Sequence, residues 1–174
     1  ALYNEHSGEE DLDFLLQPMR DGEIWGYVAD AGMPCIADPG ALLVRRAKTL
    51  GIAVKAFVGP SSITLALMLS GLPGQTFTFH GYLPKDPSGR QAAIRALERD
   101  AVKEGRTQIF IEAPYRNKHC LETLLSTLHD RTLLSIAWDL TMPGQNVMTF
   151  PVGTWKKSPL PNLEKRCVTF LVGK

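Results

Sequence analysis

The chain has 174 residues, 44% hydrophobic and 21% charged, which suits one ordinary domain or two small ones built on a buried core. A formal net charge of +1 lacks the basic excess that nucleic-acid binders often carry, and no apolar run approaches the roughly 18 to 20 residues of a membrane-spanning helix. Cys35, Cys120 and Cys167 are scattered and form no CxxC pair, which argues for free thiols in a reducing cytoplasm and against zinc.

In chain order, Ser7 and Glu10 are spaced as a capping box ahead of Leu12, Leu15, Leu16 and Met19, which recur at helical spacing. Pro18 is expected to end or kink that helix. Residues 24–29, "IWGYVA", read as a strand. Asp38 is a natural N-cap with Pro39 at the first helical position. Leu43, Ala47 and Leu50 then share one face, and Gly51 supplies the stop. A second strand is expected over 52–58, followed by "GPSS" and a helix, "ITLALMLSG", that is apolar all the way round and so expected to be buried on several sides. Strand, helix, strand, helix is the grammar of a parallel sheet.

The breaker-rich "GLPGQ" at 71–75 suggests a boundary, with one unit over 1–72 and another over 73–174. The second unit reads as strand 77–82, helix 89–103, strand 107–113, helix 115–129 and strand 133–140, then short β-like runs near 147–152 and 166–172. The fold class is α/β in two units, a partial parallel-sheet unit followed by a mixed-sheet unit. The first has too few strands to make a sheet alone.

Ligands of open α/β sheets bind beyond the carboxyl ends of the strands. Four such ends carry unusual residues: "ADAGMP", "VGPSS", "IEAPYR" and "AWDLT". In the first, Gly32 removes a side chain where backbone must turn or approach a ligand, and Asp30 can accept from an amine or hydroxyl, although a plain turn ahead of a helix explains both. "GPSS" offers hydroxyls and free N–H groups at a helix start, which attract a carboxylate or phosphate. "IEAPYR" sets Glu112 and Arg116 at one strand end, where an ordinary surface ion pair is the rival reading. The basic clusters at Arg45 and Arg46, from Arg90 to Arg99, and at Lys156 and Lys157 read as solvated faces. No phosphate-loop lysine, GxGxxG or metal spacing of His6, His80, His119 and His129 is found, so a metal is not expected.

Taken in order, "ADAGMPCIADPG", "VGPSS", "GYLP", "IEAPYR" and "WDLT" resemble the tetrapyrrole (corrin/porphyrin) methylase superfamily, in the branch typified by ribosomal RNA small subunit methyltransferase I. That branch reads approximately SDAGTPxISDPG, PGPSA, GFLP, YESPHR and RELT. The double-aspartate loop followed by GPS is the specific part. The resemblance implies an S-adenosylmethionine pocket in a cleft between two α/β domains. Asp30, Ala31, Gly32, Met33 and Ile36 would lie along the cofactor, Ser61 and Ser62 near it, and Ala113 and Trp138 would close the pocket. It also implies methyl transfer, with a ribose 2′-hydroxyl of ribosomal RNA as acceptor, Glu112 as the base and Arg116 holding a phosphate or other anion. A homodimer is usual in that superfamily. Met33, Tyr115, Trp138 and Asp139 depart from its pattern, and its first strand and glycine-containing loop have no counterpart here, so the chain is expected to be part of a longer protein. A small-molecule acceptor such as a tetrapyrrole, and a non-catalytic module retaining the cleft, are the alternatives.

Overall fold

The computed structural model describes residues 1–4 and 6–174, which divide into two compact units, Ala1–Ser61 and Ser62–Lys174. In the first unit, α1 (Glu9–Arg20) lies against α2 (Ala41–Thr49), joined by a two-pronged ion pair from Arg46 to Asp13 at 2.8 and 3.0 Å. Leu12, Leu15, Leu16 and Ala47 are buried, as their helical spacing requires. The cap of α1 is Gly8, whose N–H donates to the Asp11 carboxylate at 2.8 Å; Ser7 instead accepts from the Asn4 N–H. Pro18 does not end the helix, because it falls in the last turn, where little ladder remains to disrupt. α2 starts two residues later than Asp38 suggested, from Gly40. It closes as expected at Gly51, with φ 72°: Gly51 donates to the Lys48 carbonyl and Ile52 to that of Ala47, which satisfies two otherwise free carbonyls.

Residues 24–29 and 52–58, expected as parallel strands, belong to no sheet. A strand persists only by bonding a neighbour, and neither run has one, so Ile24, Val28, Phe57 and Val58 stand exposed. The sheet lies wholly in the second unit. There, β1 (Phe77–Tyr82), β2 (Thr107–Glu112), β3 (Leu133–Trp138), β4 (Asn146–Pro151) and β5 (Val168–Gly173) are ordered β1-β2-β5-β3-β4. Only β1 and β2 run parallel; every other pair is antiparallel.

The period-two alternation of these strands gives the sheet two apolar faces. Phe110, Ile136 and Phe170 point toward α4 (Pro87–Glu104), α5 (Asn117–Thr127) and a short α6 (Val152–Trp155). Ile109, Ala137 and Leu171 point toward α3 (Ser62–Ser70), whose Ile63, Ala66 and Leu67 are buried there while Met68 and Leu69 are exposed. α3 thus packs with the second compact unit, Ser62–Lys174. α4 is delimited by its sequence: Asp86 accepts from Gly89 N–H at 2.7 Å, Pro87 opens the first turn and Gly105 closes the last at φ 66°.

The loop after α5 is pinned to α4 by Glu98, a buried carboxylate. It accepts from His129 N–H at 2.8 Å, pairs with His129 Nδ1 at 2.7 Å and accepts from the Thr132 hydroxyl. Burial pushes its pKa up, but the Thr132 and His129 hydrogen bonds outweigh burial and hold it below the usual value. A depressed folded-state pKa contributes stability above the unfolded-state glutamate value of about 4.3 and loses it as pH falls through the folded value. Urea midpoints measured from neutral pH downward are expected to fall in this window, and Glu98→Gln to flatten that part of the fall.

Candidate functional site

In the first unit, residues 30–40 form a tight loop. Gly32, Cys35, Ala37 and Gly40 all have positive φ, at 70, 69, 61 and 133°. Two of these are not glycine, a conformation that persists only where the surroundings hold it. Tyr27 does the holding: its hydroxyl donates to the Pro39 carbonyl at 2.6 Å, and its ring lies beside Gly40. A Cβ at Gly40 would come within 2.6 Å of Cys35 Sγ and 2.7 Å of Tyr27 Cε1. Burial, then the charge of Asp38, pushes the Cys35 thiol up, so it stays neutral. The loop presents Asp30, Ala31, Gly32 and Ile36 to solvent, with Met33 half-buried. Gly40→Ala is expected to displace residues 30–36 and weaken binding of any ligand seated on them by tenfold or more, about 1.4 kcal/mol, which titration calorimetry would read. Ser61 is half-buried at the dividing line, and Ser62 is the first residue of α3.

In the second unit, Glu112 ends β2, and Pro114–Arg116 forms a single 3₁₀ turn leading into α5. The turn brings Arg116 back onto Glu112, with Nη2 2.5 Å from Oε1. The rival reading of an ordinary surface ion pair fails here, because the Glu112 side chain is 1% exposed and that of Arg116 16%. Oε1 also accepts from Ala113 N–H at 2.8 Å, and the Ala113 carbonyl accepts from Arg116 N–H, so the backbone of Ala113 is committed to the turn. Trp138 and Glu112 are both register partners of Val168, one from each side of β5, so they sit level on the face that α4, α5 and α6 cover. The Trp138 indole is 7% exposed and part of that core.

Among the described residues, the buried side-chain atoms without a hydrogen-bond partner are Arg90 Nη1, Glu112 Oε2, Arg116 Nε and Asn117 Oδ1. Such atoms are few in folded proteins and invite explanation. Three come from consecutive or near-consecutive residues at the end of β2. The fourth belongs to Arg90, read from sequence as part of a solvated basic face but in fact 2% exposed. Its Nε and Nη2 donate to the Pro84 and Lys85 carbonyls at 3.1 and 2.9 Å, which fixes the loop between β1 and α4. The signal for its burial was present: Arg90, Ile94, Leu97 and Ala101 recur at helical spacing on the buried face of α4. Asn117, also missed, donates to the Leu163 and Arg166 carbonyls, and Arg166 pairs with Asp139. Cys120 feels this charge cluster. Burial, then the charge of Glu112, pushes its thiol up to about 12, against the opposing pull of Arg90 and Arg116.

A carboxylate and a guanidinium so arranged can accept a proton and bind an anion. No group of three or more His, Cys, Asp or Glu that could hold a metal ion exists among the described residues, and no helix among them is long and apolar enough to cross a membrane.

Residues 4–155 match the family described as Tetrapyrrole (Corrin/Porphyrin) Methylases. Ribosomal RNA small subunit methyltransferase I of Xylella fastidiosa is 37% identical over 151 residues, 86% of this chain and 54% of that protein. The Pseudomonas aeruginosa protein of the same name is 31% identical over 99% of this chain and 61% of its own length. The chain thus spans little more than half the length of these relatives. Among solved structures, the methyltransferase CobJ superposes with a TM-score of 0.60 at 19% identity, over 94% of this chain and 71% of that one. Uroporphyrin-III C-methyl transferase from Thermus thermophilus, complexed with S-adenosyl homocysteine, gives 0.52 at 16% identity, over 95% and 73%.

Proposed function

From a chain that belongs to the tetrapyrrole (corrin/porphyrin) methylase family, we propose an S-adenosylmethionine-dependent methyltransferase that acts on a ribose 2′-hydroxyl of small-subunit ribosomal RNA in the cytoplasm. The observation that carries the RNA reading is the similarity, over 86% of the chain, to proteins named ribosomal RNA small subunit methyltransferase I.

The loop residues fit such a cofactor. Asp30 is an exposed acceptor for a hydroxyl or ammonium group. Gly32, at φ 70°, has open space where a Cβ would stand, so a ligand can lie against its backbone, and Met33 and Ile36 offer apolar surface to a flat base or thioether. Ala31 stands between Asp30 and Gly32 in the same loop, and Ser61 and Ser62, at the start of α3, are further proposed cofactor contacts. In the second unit, Ala113 and Trp138, the latter at the end of β3, are proposed cofactor contacts.

When bound, the cofactor would supply an electrophilic methyl group carried on a sulfonium, with a neutral thioether as its leaving group. The chain's own residues align the acceptor and exclude water. Glu112 takes the hydroxyl proton at Oε2, the oxygen without another partner. Arg116 holds the neighbouring phosphate.

Incubating small ribosomal subunits with methyl-labelled cofactor tests this reading: the label should appear in RNA as alkali-resistant 2′-O-methyl nucleotide. Label appearing in a tetrapyrrole acceptor and none in RNA would transfer the reading to a small-molecule enzyme, which the net charge of +1 favours, since RNA is ordinarily met with positive surface. A homodimer is part of the proposal; the exposed Ile24, Val28, Phe57 and Val58 support it, and sedimentation equilibrium would test it.

A further inference from the structure

A proton acceptor must reach the group it deprotonates, yet the Glu112 carboxylate is enclosed. Its side chain is 1% exposed, Oε1 is occupied by Arg116 and Ala113 N–H, and Oε2 is buried with no partner. Its charged partner is Arg116. That residue sits on the exposed turn Pro114–Arg116, next to Tyr115, whose side of the turn is open to solvent at 79% exposure. The Arg116 guanidinium already lies 5.5 Å from the Tyr115 ring centroid, a second partner on the solvent side of the turn.

We propose that the Glu112–Arg116 pair is a closed latch that the acceptor's own phosphodiester opens: the phosphate draws Arg116 off Glu112 and thereby exposes the carboxylate to the neighbouring hydroxyl. The inference rests on the reading of the chain as a ribose methyltransferase. Its chemical sense lies in the pairing. Arg116 binds a carboxylate or a phosphate with the same fork of N–H donors, so the two anions compete for it. A carboxylate released by Arg116 is free to hydrogen-bond the hydroxyl whose proton it takes. An acceptor without a phosphate beside its hydroxyl leaves the latch shut, so the same pair selects polynucleotide over a free sugar.

Competition gives the test an unusual direction. Binding of a short single-stranded oligoribonucleotide at low salt is measured for the unmodified chain, Glu112→Gln and Arg116→Gln, with folding of each checked by circular dichroism. Removing the internal competitor should make Glu112→Gln bind the oligonucleotide more tightly, by about tenfold, while Arg116→Gln binds it more weakly. A purely structural pair predicts weaker binding for both, and equal or weaker binding by folded Glu112→Gln overturns the latch. Where either variant does not fold, the unmodified chain decides: the Arg116 Nε–Hε resonance should shift on titration with the oligonucleotide and with inorganic phosphate, and an unmoved resonance at saturation overturns the proposal. Absence of oligonucleotide binding by any form overturns it too. Methyl transfer to ribosomal subunits by the same preparations judges the ribose reading separately.

Discussion

Glu112→Gln is expected to lower methyl transfer by about 100- to 10,000-fold, the usual contribution of a positioned base, with cofactor affinity unchanged. The substitution keeps the side chain's shape and its acceptor for Ala113 N–H, and removes the charge that pairs with Arg116 and the site that would take the proton. Breaking a buried ion pair by deleting one partner commonly costs about 3 to 5 kcal/mol, because the other charge is left uncompensated. Here the figure should fall below that range. The Arg116 side chain is the more exposed partner, with the Tyr115 ring beside it, so the orphaned guanidinium has a wet alternative. Initial rates with labelled cofactor, cofactor calorimetry and a thermal melt on one preparation separate the outcomes. A large fall in rate with intact cofactor binding and a modest change in melting point supports the base. An unchanged rate removes Glu112 from the chemistry, and a collapsed melt with lost cofactor binding assigns it to the scaffold. If the latch also operates, acceptor KM should fall along with kcat, a combination that a simple loss of fold does not produce.

The second unit was largely legible from its sequence because its signals are local. Phe77–Tyr82 and Thr107–Glu112 are β-branched and aromatic runs bounded by breakers, and Asp86, Pro87 and Gly105 mark both ends of α4. The short helix Val152–Trp155 left no such mark, since four residues show no period. In the first unit the same kind of reading expected strands over 24–29 and 52–58. Composition there is β-like, but a strand is a relation between two segments, and a run of residues cannot announce whether its partner is present. The cap of α2 failed for a different reason: with Tyr27 bonded to the Pro39 carbonyl and Cys35 packed on Gly40, the chain is still turning at Asp38, and the helix is capped two residues later, at Gly40.

The site follows the same division. That Glu112 and Arg116 share one strand end could be read from Pro114, which bends the chain between them. That the pair is buried could not, because part of its surroundings, such as Val168 of β5 opposite Glu112, is remote in sequence. Arg90 shows how composition misleads. It begins a basic stretch, yet its spacing with Ile94, Leu97 and Ala101 turns it inward, where its stem packs and its head binds two loop carbonyls.

Trp155→Ala should be the most damaging single change to the second unit, at about 3 to 5 kcal/mol for truncating a buried aromatic. Trp155 is the largest fully buried side chain in the chain's described core. Its ring meets Phe150 edge to face at 5.3 Å, and its indole N–H donates to the Leu134 carbonyl at 2.9 Å. It therefore joins α6 to β3 and β4, the edge of the sheet farthest from β1. Two terms contribute: lost apolar burial with a cavity that rigid strands cannot close, and a lost hydrogen bond to the Leu134 carbonyl. Trp155→Phe separates them, since it keeps most of the apolar volume and deletes only the N–H; about 1 to 3 kcal/mol is expected from that alone. Urea unfolding followed by far-ultraviolet circular dichroism measures both variants, and the loss should appear in the transition of the unit that carries the sheet. A Trp155→Ala change below about 1 kcal/mol would mean that the cavity collapses or fills with water at little cost. The edge strand β4 would then be held by its ladder to β3 alone. Because β3 ends at Trp138, beside the candidate site, loosening that edge should also weaken cofactor binding in proportion to the lost stability, whereas Glu112→Gln leaves it intact.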